Sequence, residues 1–218
     1  MIQLDDVHSE AGCLQHLLLA EARSPEKSGY NLAEIRVVLQ AMKAVIENRQ
    51  ALGKNHIFCS VNAASIIDFI CAPVSPGGCQ AKQFEGFTKG AGGKVSVADP
   101  IRKRIAEAVR IANNTQDPRS AKYVTHIQEI IAVVQNASSD PYTNIPGVIG
   151  GESVLKGAYG WKTSGSTQPG GAYVKIPQVV PPLNHPNGDL QGIQFYTIKS
   201  VAGFLERQEF ELFFMPAG

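Results

Sequence analysis

No stretch of the chain approaches the roughly 18 consecutive apolar residues of a membrane-spanning helix. The opening MIQLDDVHSE has neither a basic start nor an apolar run. Neither a transmembrane segment nor an export signal is therefore expected. Charge of one sign is missing as well, because 20 Lys and Arg stand against 19 Asp and Glu. A net charge of +1 lacks the electrostatic footprint of a nucleic-acid binder or a polybasic membrane anchor. The cysteines, Cys13, Cys59, Cys71 and Cys79, form no C-x-x-C pair and no Cys/His cluster of zinc-finger spacing, so no metal and no cofactor is expected. Internal repeats and low-complexity tracts are also missing.

What is present suits a globular protein. With 44% hydrophobic and 18% charged residues, 218 residues are enough to bury a core in one domain. The 21 glycines and 13 prolines are unevenly spread and crowd the region after Asp140. Cys71 and Cys79 bracket APVSPGG, a segment that can fold the chain back. Either a disulfide joins them in an oxidising compartment or, the favoured alternative, they are buried thiols.

The first part of the chain has helical periodicity. Glu10 to Ala22 place Leu14, Leu17, Leu18 and Leu19 around a helix that ends before Ser24-Pro25. A second helix begins at Asn31, with Glu34 at capping-box spacing; Ile35, Val38, Leu39, Met42, Val45 and Ile46 form its apolar face before Gly53. Ser60 to Ile70 is a shorter candidate. Gly77 to Gly93 is expected to be an exposed glycine-rich loop anchored by Phe84 and Phe87. Asp99-Pro100 opens the next helix as cap and first turn, with Ile101, Ile105, Ala108, Val109 and Ala112 as its stripe. The last helix, from about Ser120 to Ala137, is predicted to pack on the second. Beyond it, Asp140 to Asp189 is rich in turn dipeptides, and one or two strands are predicted between Gly192 and Pro216. The expected fold class is mainly α, with a Gly/Pro-rich, weakly β C-terminal third. Residues 1–140 would form the helical core, and 141–218 a loop-rich extension packed on it within one domain.

The sharpest chemical feature is Glu21 at the end of the leucine-rich helix. A carboxyl half desolvated by apolar neighbours has a raised pKa and stays protonated near neutral pH, as a general acid must. The plainer reading is a surface Glu paired with Arg23 or Lys27.

Four strings in order favour the first reading. Ala20-Glu21-Ala22-Arg23 and Ala44-Val45-Ile46-Glu47-Asn48-Arg49 resemble the A/G-E-A-R and A-V-x-x-N-R motifs of the SleB-type cell-wall hydrolases, a group of lysozyme-like glycosidases. Gln83-Phe84 with Phe87 is similar to that family's Q-F-S segment, and Asn136 to Thr143 is similar to its helix end followed by D-P-T. The likeness covers roughly the first two thirds of the chain, ending at Thr143. The family joins its first two motifs by a shorter segment; here Lys27 to Glu34 lengthen it.

The resemblance implies a lysozyme-like fold and cleavage of the glycan strand of bacterial peptidoglycan, with Glu21 protonating the leaving oxygen. Glu26, Glu34, Glu85 and Asp140 are candidates for a second carboxylate. A lytic transglycosylase, which lets a substrate hydroxyl attack, needs none, and family analogy leans that way. Gln83 and Tyr142 are candidates to hydrogen-bond the sugar, and Phe84 and Trp161 to offer flat faces to it. Asn48 and Arg49 would fasten their helix to the cleft wall. A wall-degrading enzyme without a signal would be delivered to the periplasm or cell wall as an antibacterial secretion effector or a phage lysis protein. An effector would be restrained by an immunity protein.

Two rivals come from other classes. Cys59, before a short helix, with His126 or His185 as base, would make a cysteine amidase acting on peptidoglycan peptides. A non-enzymatic module would dock a partner through the Gly/Pro-rich region.

Overall fold

The structure, a computed structural model, describes residues 1–52, 63–72, 84, 86–135, 160–163, 173–175 and 192–198. Within them the protein is mainly helical. Helix α1 (Glu10–Glu21) is the hub and packs on α2 (Leu32–Leu52), α3 (Ile66–Ile70), α4 (Asp99–Asn113) and α5 (Ser120–Gln135). The sequence explains its place. Cys13, Leu14, Leu17, Leu18, Leu19 and Ala20 are all buried and encircle the helix rather than forming a stripe, so it can only be stable with neighbours on several sides. By contrast α4 carries one apolar face, Ile105, Ala108, Ile111 and Ala112, with charged residues elsewhere. Its partner α5 buries Tyr123, His126, Ile127, Ile130 and Val133 and packs on α4, α2 and α1.

Helix starts follow local chemistry. Ser9 caps α1, its Oγ accepting from the Gly12 amide at 3.0 Å. Asn31 stands just before α2, and its Nδ2 donates to Glu34 Oε1 at 3.3 Å. Asp99 is not the cap of α4. Ala98 holds that position without a side-chain bond, and Asp99 lies in the first turn beside Pro100, paired with Arg102.

The glycine-rich segment departs from the loop expectation. Phe87–Lys89 (β1) and Val95–Val97 (β2) form an antiparallel hairpin, and Phe87 and Val95 belong to the core. Phe84 is core too, only 6% exposed, edge-on to Phe69 and stacked on Trp161 at 5.5 Å. Strands β3 (Gly160–Thr163), β4 (Tyr173–Lys175) and β5 (Ile193–Ile198) make an antiparallel sheet in the order β3-β5-β4. Ile193 and Phe195 of its central strand join the helical core.

Cys71 is a free, buried thiol in contact with Cys13, also free and buried. The hydrogen bond between them pushes the Cys13 thiol up and the Cys71 thiol down, so Cys13 keeps the proton it donates. Cys79 lies outside the described residues. Among the described residues no helix is long and apolar enough to cross a membrane, and no cluster of His, Cys, Asp and Glu is arranged to hold a metal ion.

Candidate active site

Glu21 is the last residue of α1, and at that end the helix emerges from the core. The Ala22 amide closes the final turn on Leu18 O at 2.9 Å. Arg104 reaches over from α4 and donates through Nη2 to Ala20 O at 2.7 Å, giving a terminal carbonyl a cationic partner, the favourable charge at this end of a helix. Arg23 donates to Ser28 O. It also passes so close to the turn before β5 that a methyl on Gly192 (φ 74°) would lie 2.6 Å from its Nη1. Both polar residues of the A-E-A-R string line one cleft, and Arg23 also ties down the backbone at Ser28.

That cleft has a volume of about 640 Å³, within the range of roughly 300 to 1,000 Å³ usual for small-ligand sites. Leu19, Ala20, Ala108, Ile111 and Ile193 give it an apolar lining, and Glu21, Glu26, Glu107, Arg104, Arg119 and Tyr123 supply polar groups. The segment that lengthens the link between the first two family-like strings forms part of this wall, because Lys27 lines the cleft together with Pro25 and Glu26. Hydrogen bonds from Lys27 N to Ser24 O and from Tyr30 N to Lys27 O fold the segment into consecutive turns.

Glu26 is held at both oxygens from α5 and the residue preceding it. Arg119 Nη1 donates to Oε1 at 2.8 Å, and the Tyr123 hydroxyl donates to Oε2 at 3.2 Å. Arg119 is itself fixed by a two-pronged pair with Asp117, at 2.8 and 2.7 Å. Its guanidinium holds the Glu26 carboxyl below the usual carboxylate range, and Asp117 at about 2. Glu107 differs, because both its oxygens are taken by Arg110 on the same helix at 2.7 and 2.6 Å. His126 also lines the cleft, 1% exposed, and burial lowers its pKa to about 4, so it is neutral at physiological pH. Its Nδ1 is hydrogen-bonded to the Tyr30 hydroxyl at 2.9 Å.

Of the residues singled out from sequence, the structure brings Glu21, Glu26 and His126 into one cleft. Glu34 is buried at the start of α2 beside Asn31. Phe84 and Trp161 are stacked on each other and do not line this cleft. Asn48 and Arg49 are half-buried on α2 and do not line it either. Gln83, Glu85, Tyr142, Asp140, Cys59 and His185 lie outside the described residues. Arg104, Glu107, Arg119 and Tyr123 escaped sequence reading as site residues. Only the docking of α4 and α5 against the end of α1 brings them near Glu21, and no local motif marks them. No protein-family model matches the chain, and comparison with curated proteins and with solved structures finds no match either.

Proposed function

We propose that the protein is a peptidoglycan glycosidase of lysozyme-like type that cuts the glycan strand with Glu21 as general acid. The observation that carries this reading is the position of Glu21, fixed at the end of the most buried helix and lining a cleft that combines apolar patches with charged and hydroxyl groups. A pyranose ring asks for that mixture, because its C–H face is apolar and its hydroxyls need hydrogen-bond partners. The likeness of Ala20 to Arg23 and Ala44 to Arg49 to the SleB-type motifs supports the same chemistry. Glu21 would give its proton to the glycosidic oxygen as the bond to the anomeric carbon breaks, with positive charge developing on the ring.

Digestion of purified sacculi followed by mass spectrometry tests the reading. Disaccharide-peptide fragments are expected from the wild type, and Glu21→Gln is expected to lower the rate by about 10² to 10⁴-fold with an unchanged melting temperature. Free stem peptides, or sacculi left intact, would count against it.

The reading extends to delivery. The enzyme would reach the periplasm or cell wall as an antibacterial effector or a phage lysis protein, and an effector would be neutralised by an immunity protein that fills the cleft. Expression directed to the periplasm should then lyse cells, and Glu21→Gln should abolish the lysis. Unharmed cells, with sacculi still digested in vitro, would sink the toxin idea.

A further inference from the structure

A general acid alone suffices if a hydroxyl of the sugar itself displaces the leaving group. Most glycosidases that release to water use a second carboxylate near the anomeric carbon. Among the described residues the cleft contains two carboxylates besides Glu21, and they are held very differently. Among the described residues Glu107 is paired with Arg110, one turn along its own helix. Glu26 lies in the loop that leaves Glu21's helix, and two groups brought from elsewhere in the fold orient it, Arg119 on one oxygen and the buried Tyr123 hydroxyl on the other. Arg119 is set in advance by Asp117, so the Glu26 carboxylate is positioned before any ligand arrives. Each Glu26 oxygen accepts one of these bonds and keeps a further lone pair. The neighbouring guanidinium also keeps Glu26 ionised, the state a base needs.

We infer that Glu26 is the second catalytic carboxylate of this cleft and that water, not a substrate hydroxyl, is the acceptor; this rests on the glycosidase reading with Glu21 as acid. In the step, the bond between the anomeric carbon and the glycosidic oxygen breaks, its electron pair stays on oxygen, and that oxygen takes the Glu21 proton. A water oxygen bonds to the anomeric carbon and gives a proton to Glu26. One water is consumed, one hydroxyl and one reducing end are released, and the proton now on Glu26 returns to Glu21 through solvent.

Digestion in ¹⁸O-water reads the acceptor directly. The wild type is expected to leave reducing ends carrying ¹⁸O. Glu26→Ala is expected to lose about 10²-fold or more in kcat with little change in KM. Azide should restore its cleavage and leave glycosyl azide ends, because the small anion replaces water and needs no base. Arg119→Ala, which leaves the carboxylate but removes its cationic partner, should shift the acidic limb of the pH profile upward. Anhydro-sugar ends from the wild type would overturn the inference and leave Glu21 standing. So would a fully active Glu26→Ala beside an inactive Glu21→Gln, or an inactive Glu26→Ala with a lowered melting temperature and no azide rescue. Sacculi untouched by the wild type would overturn both readings.

Discussion

The two ends of α1 are built from similar residues to opposite effect. At its start the helix is closed in. Gly12 lies against the chain segment before it, so that a methyl there would stand 2.0 Å from the Asp6 carbonyl oxygen. The fully buried Gln15 trades two hydrogen bonds with Asp5, each 2.8 Å, and Glu10 accepts from the first amide of α3 at 3.1 Å. These polar contacts hold chain to chain. At its finish the same helix opens into the cleft, where Glu21 and Glu26 stand among Arg104, Arg119 and Tyr123. Polar residues in a mostly apolar neighbourhood can thus fasten one segment to another or line a cleft. The difference lies in whether the geometry around them leaves space for a ligand.

Substitutions should separate these roles. The largest effect belongs to the open end, where Glu21→Gln is expected to cost about 10² to 10⁴-fold in glycan cleavage at unchanged stability. A stable, fully active variant would erase the distinction between the ends. Next comes acid. The His126 ring takes up a proton near pH 6.5 in the unfolded chain but only near 4 in the folded protein. Unfolded molecules therefore bind the extra proton between those values, and stability is lost as pH falls through that window, reaching about 3 kcal/mol at its lower edge. The Asp117 pair adds a separate loss nearer pH 2. Urea titrations from pH 7 to pH 4 would measure the first window, and His126→Gln should flatten it.

At the closed end, Gly12→Ala sets a helix-propensity gain of about 1 kcal/mol against an overlap with backbone that cannot swing aside. A net loss of about 2 kcal/mol in stability is expected, with normal turnover per folded molecule. The smallest effect should come from Gly192→Ala. There the obstructing atom is the far end of the long Arg23 side chain, and the main penalty is a left-handed backbone, about 1 kcal/mol. Calorimetry on the pair would rank them, and the reverse order would mean that the brace on the cleft side is the tighter one.

The helices were legible because their information is local. Leucines on all sides of α1, the Asn31 and Glu34 start and the steps of three and four in α2, α4 and α5 are set by neighbours a turn away, and these elements appear close to where periodicity puts them. The hairpin was not. Strands β1 and β2 are too short to show alternation, and Gly90, Gly92 and Gly93 between them signal a loop in any one-dimensional reading. Phe84 shows a second limit, since an aromatic in a glycine-rich stretch fits a ligand platform as well as a core anchor until Trp161 is seen stacked on it. At the candidate site, the sequence offered Glu21 through its motif and Glu26 as one carboxylate among four. What distinguishes Glu26 is a pair of donors, Arg119 and Tyr123, from a distant part of the chain.

The bond from Arg104 to Ala20 O acquires a further meaning once α1 is regarded as a lever. Its 12 residues span about 18 Å, so a tilt of about 3° about the Ser9 end would sweep the Glu21 backbone through about 1 Å. For the general acid proposed above, a misplacement of that size would cost about two orders of magnitude in rate. Arg104 grips the lever at its tip, one residue from Glu21, while Gly12 and Glu10 seat its pivot. Helix α4 thereby fixes the position of the end of α1 through the bond that Arg104 makes to its backbone.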